Sequence, residues 1–113
     1  MTLRTLPVST NRLFQGRHIL TREARETKEA LAKEIWVAWR QKPIFGPVAV
    51  DIIVYWPDAR RRDLDNALKN LLDAGTHLLW TDDSQIEELR IRKGVDRSNP
   101  RIEIEVATIN PPT

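Results

Sequence analysis

The sequence predicts a single α+β domain spanning residues 1–113, with helices packed on a mixed β-sheet in the order strand, helix, strand, helix, hairpin. Three observations favour this class. Apolar residues recur at helical spacing before Pro43, an apolar strand follows, and two alternating segments lie in the last third. At 113 residues and 41% hydrophobic content, the chain is long enough to bury one core but too short for two.

The amino-terminal third is predicted to hold one short strand, a polar loop and one long helix. Residues 3–8 form the strand, and Pro7 places it at a sheet edge or ends it. Residues 9–20 form the loop. Thr21 is a suitable N-cap, Glu23 lies in the first turn, and Pro43 ends the helix. Its apolar face comprises Ala24, Thr27, Leu31, Ile35 and Ala38, widened by Trp36 and Trp39.

The middle of the chain is predicted to form the clearest strand and a second helix. Residues 47–56 are largely apolar on both faces, which indicates a central strand. The helix covers residues 63–74, and Gly75 is a natural stop. Its buried stripe comprises Leu64, Ala67, Leu68, Leu71 and Leu72.

The last third is predicted to form a β-hairpin around a turn at residues 96–100. Alternation predicts which side chains point inward. Arg90 and Arg92 point outward, and we expect them to pair with Glu103 and Glu105 across the ladder. The inward set comprises Leu89, Ile91, Val95, Ile102, Ile104 and Val106.

Composition excludes several classes of protein and of site. The chain has no apolar run long enough to span a bilayer and no signal-peptide core. Without cysteine it has no disulfide, thiolate zinc site or cysteine nucleophile, and a cytoplasmic setting is expected. Its two histidines, His18 and His77, are far apart, so a metal would be held by oxygen ligands, which favours magnesium or manganese.

The most informative run is at residues 60–65, where Arg60, Arg61 and Arg62 precede Asp63 and Asp65 at a predicted strand-to-helix junction. Arginine suits phosphate, and the chain has thirteen arginines against five lysines. Asp65, Lys69 and Asp73 then share one helix face at four-residue spacing. Carboxylates beside cations are what metal-dependent cleavage of a nucleic-acid backbone requires, with Lys69 placed to steady phosphate charge.

Plainer interpretations of the same residues stay open. Asp63 is also a suitable helix cap, and an arginine run is often only a solvated face. A second acidic pair, Asp82 and Asp83, could cap a turn. We expect Trp80 to be a core or rim aromatic and His77 to be a surface or structural residue.

The signature formed by these residues resembles that of RusA-type Holliday-junction resolvases, and the similarity extends more weakly to Asn11 and Arg12. The residues that carry it are 57–66, Lys69, Asp73, Trp80, Asp82, Asp83 and Gln85. The resemblance implies a homodimeric, magnesium-dependent endonuclease that resolves four-way junction DNA by paired nicks during recombination and repair.

The resemblance also implies roles for individual residues. It places the metal ligands on Asp63, Asp65 and Asp83, the functional lysine on Lys69 and DNA contacts on the arginine run. Residues 74–79 are about one residue shorter than the family pattern, so either Asp82 or Asp83 is the third ligand.

Three further matters stay open at the level of sequence. The chain could be a non-catalytic junction-binding module, or a nuclease that prefers flaps or forks. Three carboxylates could hold one magnesium or share two. Both the Trp36/Trp39 side of the first helix and a sheet edge are candidates for the dimer surface.

Overall fold

A computed structural model describes residues 1–8, 14–16 and 19–109. The chain forms an α+β domain with two helices on a four-stranded mixed sheet, as the sequence predicts. A separate pair of short strands precedes the first helix. The elements are β1 (Thr2–Leu3), β2 (Phe14–Gly16), β3 (Ile19–Leu20), α1 (Arg22–Trp39), β4 (Val48–Trp56), α2 (Leu64–Gly75), a 3-10 turn (Asp83–Gln85), β5 (Ile86–Val95) and β6 (Arg101–Thr108).

The sheet order is β1-β6-β4-β5, so β4 lies between the last two strands. It pairs in parallel with β5, where Val48 lies beside Ile86 and Trp56 beside Val95, and antiparallel with β6. The predicted central position of β4 is confirmed, but the predicted hairpin is wrong. Because β5 and β6 flank β4, the expected arginine–glutamate pairs do not form between them. Arg92 instead lies 3.5 Å from Asp51 of β4.

The core lies between one face of this sheet and the two helices. Val48, Val50, Ile52, Val54 and Trp56 alternate along β4 and are all buried, while the residues between them are partly exposed. This alternation packs one face against α1 and α2 and leaves the other face open. Buried Asn70 joins the helices to the amino-terminal segment, since it accepts a 3.0 Å hydrogen bond from the Val8 amide and donates one of 3.4 Å to the Ala24 carbonyl.

Helix boundaries follow the predicted caps. The Thr21 hydroxyl accepts a hydrogen bond from the Ala24 amide at the start of α1, and Arg40 ends that helix in the left-handed conformation, three residues before Pro43. The buried apolar face of α1 is narrower than predicted. Ala24, Leu31 and Ile35 are buried, whereas Ala38 and Trp36 are exposed because no element of the described chain covers that side.

The amino-terminal strand is shorter than predicted. Only Thr2 and Leu3 pair with β6, although the predicted edge position is confirmed. The predicted loop at residues 9–20 contains the β2–β3 pair, and Asn11 and Arg12 lie outside the described residues. Leu89 and Val95 of β5 are exposed despite their inward phase, because β5 is a sheet edge. None of the helices described is long and apolar enough to cross a membrane.

Candidate metal and nucleic-acid site

Asp63 caps the beginning of α2. Its Oδ1 accepts a 2.9 Å hydrogen bond from the Asp65 amide, and its Oδ2 lies 3.5 Å from the side-chain nitrogen of Asn66. The capping interpretation is therefore confirmed for this residue. A carboxylate has about four lone-pair positions, and Asp63 is exposed to solvent, so capping leaves it able to bind a further partner.

Asp65 and Lys69 lie one turn apart on the exposed side of α2. The opposite side contributes Ala67 and Leu71 to the core, so the polar face predicted from the four-residue spacing is confirmed. Asp73, one turn further, is partly buried. The exposed start of α2 thus presents the carboxylates of Asp63 and Asp65, with the ammonium-bearing Lys69 on the same helix.

Arg62 is fixed by its own loop. Its guanidinium donates to the Asp58 carboxylate at 2.7 Å and to the Asp58 carbonyl at 3.1 Å, and it lies 4.5 Å from the centre of the Trp56 ring. Its side chain is only 14% exposed. The hydrogen bond from Arg62, followed by that from the Arg60 amide, lowers the pKa of the Asp58 carboxyl. These contacts make Arg62 an organiser of the segment that leads into α2.

Arg60 and Arg61 are the exposed members of the arginine run. The Arg60 side chain is 83% exposed and lies 3.6 Å from Asp58, a weak surface pair. Arg61 is exposed, and its guanidinium has no hydrogen-bond or ion-pair partner within the described ranges. Two cations therefore stand beside the two carboxylates at the start of α2.

The second acidic pair divides into a capping residue and an exposed one. The Asp82 carboxylate accepts hydrogen bonds from the Ser84 hydroxyl and from the Ser84 amide at 3.1 Å, and the first of these contributes most to lowering its pKa. Asp83 is exposed, and no side-chain hydrogen bond or ion pair engages its carboxylate among residues 1–8 and 19–109. Of the pair, Asp83 is the one whose carboxylate is available to a metal.

Gln85 organises residues 81–85, called the acidic turn because they include Asp82 and Asp83. The sequence signature contains Gln85 but does not reveal this role. Its Oε1 accepts from the backbone amides of Thr81 and Asp82, each at 2.9 Å, and from the Thr81 hydroxyl. Its Nε2 donates to the carbonyls of Ile44 at 2.7 Å and Gly46 at 2.9 Å. One side chain thus ties the acidic turn to the loop that precedes β4.

The two remaining predicted residues have structural positions. Trp80 is buried, and its indole N–H donates to the Thr76 hydroxyl at 3.1 Å, so it is a core residue as predicted. His77 is exposed at a left-handed backbone position with φ of 77°, as a surface residue would be.

The two acidic sites lie at opposite ends of the domain. Asp63 follows β4 at its carboxyl end, whereas Asp83 precedes Ile86, which pairs beside Val48 at the beginning of β4. Between them runs α2, whose twelve residues span about 18 Å. Accordingly, no group of three or more His, Cys, Asp or Glu residues in the described ranges is close enough to hold a metal ion.

Comparison with known proteins places the sequence signature in context. Residues 7–107 match the family model described as endodeoxyribonuclease RusA. The crossover junction endodeoxyribonuclease RusA of Escherichia coli strain K12 is 33% identical over 104 residues, which cover 88% of this chain and 87% of that protein. The protein of the same description from Enterobacteria phage 82 is 32% identical over the same shares of the two chains.

Proposed function

Because the chain belongs to the RusA family of endodeoxyribonucleases, we propose that it is a crossover junction endodeoxyribonuclease, an enzyme that resolves Holliday junctions. The observation that carries the proposal is the family match over residues 7–107, which includes both acidic sites and the whole arginine run. The exposed carboxylates and cations at the start of α2 support it, since both groups are needed to act on a phosphodiester. The enzyme is expected to act in the cytoplasm together with its DNA substrate.

A divalent metal suits the donors that the structure exposes. The carboxylate oxygens of Asp63, Asp65 and Asp83 are the hard ligands that magnesium prefers, with manganese as a substitute. Asp82 is the less suitable of its pair because the turn already uses its carboxylate. When bound, magnesium would supply Lewis-acid activation of the phosphodiester and of the attacking water.

The separation of the acidic sites supports a homodimer in which each metal is held across two protomers. Within one chain, Asp63 and Asp65 lie about one helix length from Asp83. A two-fold axis that runs the two α2 helices antiparallel would bring the partner's Asp83 beside Asp63 and Asp65, and would do so twice. The resulting pair of equivalent sites suits paired nicks in two strands of a four-way junction.

The remaining charged residues have distinct roles in this proposal. Arg60 and Arg61 bind backbone phosphates of the DNA, because their guanidinium groups are exposed. Arg62 also belongs to the DNA-facing segment, and it holds the loop that carries the other two arginines. Lys69 stabilises the negative charge on the phosphate that is cut or on the oxygen that leaves.

Cleavage of defined branched substrates tests this function. A four-way junction, a flap and a plain duplex of matched sequence are incubated with the protein, with and without magnesium. We expect paired, magnesium-dependent nicks near the branch point of the four-way junction and little cutting of the duplex. Asp65→Asn should abolish cutting and leave junction binding intact, whereas Glu29→Gln, an exposed carboxylate on α1, should cut normally.

Two other results would replace the proposal. Preferential cutting of the flap would assign the enzyme to a different branched substrate. Tight junction binding with no cutting in either magnesium or manganese would make the chain a non-catalytic binding module.

A further inference from the structure

A groove of about 560 Å³ lies where the carboxyl end of α1 meets the turn that follows α2. Its volume is within the range of about 300–1,000 Å³ that is typical of ligand sites. Trp36 and Trp39 line it from the helix, and His77 and Leu78 line it from the turn. Trp36 is 69% exposed, which leaves a large aromatic surface in water without a covering element in the described chain.

The charge of the groove indicates what could cover that aromatic surface. Arg40 and Lys42 both line the groove, and none of its lining residues within the described part of the chain carries a carboxylate. Arg40 is fixed at the end of α1, where its Nε donates a 2.9 Å hydrogen bond to the Val37 carbonyl. The rest of its guanidinium bonds to no acceptor in the described part of the chain. The groove therefore combines an exposed indole with two cations and favours an anionic, aromatic occupant.

We propose that this groove binds one unstacked nucleotide of the branched DNA, with its base on the Trp36 indole and its phosphate on Arg40 and Lys42. Aromatic side chains stack on bases of any sequence, and neighbouring cations hold the backbone, which is how proteins commonly bind single-stranded nucleic acid. Bases at a branch point can leave the stack at lower cost than bases inside a duplex. This inference rests on the proposed action on branched DNA.

The position of the groove supports a role next to the site of cutting. His77 lines the groove, and its amide donates a 2.7 Å hydrogen bond to the carbonyl of Trp80, directly before the acidic turn. The groove and Asp83 therefore lie at the same end of the domain. In the proposed dimer, each groove would flank a metal site completed by the same protomer's Asp83.

A protein partner fits the groove less well than a nucleotide. Protein interfaces are enriched in arginine and tryptophan but depleted of lysine, and a protein partner would have to bring an acidic counterpart for Lys42 as well as for Arg40. A nucleotide supplies the aromatic face and the negative charge in one group. A second copy of the chain brings no matching acidic patch from the groove itself, because its lining is basic.

The test compares junction and duplex affinity of Trp36→Ala with that of Phe45→Ala, both measured without divalent metal so that no strand is cut. Phe45 is 79% exposed but does not line the groove, which makes it a matched control. We expect Trp36→Ala to weaken junction binding by about 5- to 150-fold, the cost of one lost base stack, with duplex binding unchanged. Trp36→Phe should retain most of the affinity, and Phe45→Ala all of it.

A fluorescent base analogue locates the contact. With 2-aminopurine at the branch point, the wild-type protein should quench its emission by stacking, and Trp36→Ala should leave it bright. Equal junction affinity and equal quenching for Trp36→Ala and wild type would overturn the groove inference while leaving the proposed function standing. A Trp36→Ala protein that binds DNA normally but changes its oligomeric state would also overturn it. Failure of the wild type to prefer the junction at all would instead refute the proposed function.

Discussion

Asp63 and Asp83 lie beyond opposite ends of helix α2, about 18 Å of helix apart. Both are exposed carboxylates: Asp63 is the N-cap of α2, and Asp83 is the first residue of the 3-10 turn that Asp82 caps. This separation follows from the parallel pairing of β4 with β5, since the intervening helix must run back across the sheet. One chain therefore does not bring these two carboxylates together, and in the proposed dimer a second chain would supply the missing one.

The first prediction separates the two members of the acidic pair. Asp83→Asn should reduce junction cleavage by roughly a hundredfold or more, because the proposed metal site would lose a ligand. Asp82→Asn should cut within a few-fold of wild type, because asparagine is as good a cap as aspartate. Single-turnover cleavage at saturating junction measures both. The reverse ranking would move the third ligand to Asp82.

The second prediction concerns Gln85. Gln85→Ala removes the hydrogen bonds that tie the acidic turn to the loop before β4, so Asp83 should lose its fixed position. We expect a higher magnesium concentration for half-maximal cleavage, with junction affinity unchanged in the absence of metal. The loss of stability should be about 1–3 kcal/mol. A stability loss without any shift in the magnesium titration would restrict Gln85 to a structural role.

The third prediction separates two arginines of the same run. Arg61→Ala should reduce the magnitude of the slope of log binding constant against log salt concentration by about one, the value for one lost phosphate contact. It should leave the melting temperature unchanged. Arg62→Ala should also destabilise the fold, by about 1 kcal/mol for the lost packing on Trp56. Thermal melts and binding isotherms at several salt concentrations test both. Identical behaviour of the two variants would contradict the distinct position of Arg62.

The fourth prediction uses the turn between β5 and β6. Arg101, followed by the hydroxyl of Ser98, lowers the pKa of Asp96 from its ordinary value. A lowered folded-state pKa stabilises the fold above the ordinary pKa, and this contribution is lost as the pH falls through the lowered value. The difference in melting temperature between wild type and Asp96→Asn should therefore be constant from neutral pH to about pH 4 and then shrink. A difference that does not change with pH would contradict this.

Local patterns were sufficient to predict the helices and the central strand. Thr21, Asp63 and the alternation along β4 act through neighbours in sequence, so their structural roles follow from spacing alone. The pairing of the last two strands depends on distant partners. An alternating segment, a turn and a second alternating segment look the same whether the strands pair with each other or flank a third strand.

The helix face that carries the candidate residues was predictable from the sequence, but the arrangement of those residues in space was not. Spacing places Asp65 and Lys69 on one face of α2, and the structure confirms it. Spacing does not reveal that Arg62 binds Asp58 and Trp56, because that contact depends on the path of the loop. Nor does it reveal the distance between the acidic sites, which is set by the parallel crossover.

Complementation between two inactive variants tests the shared metal site most directly. Asp65→Asn and Asp83→Asn are co-expressed with different tags, and the cutting of a four-way junction by the mixture is compared with that of each variant alone. If each site takes Asp65 from one chain and Asp83 from the other, a mixed dimer keeps one intact site, and an equal mixture should regain about a quarter of wild-type nicking. If each chain held its own metal, every site in the mixed dimer would lack one carboxylate. The mixture would then be as inactive as either variant, and the shared site would be refuted.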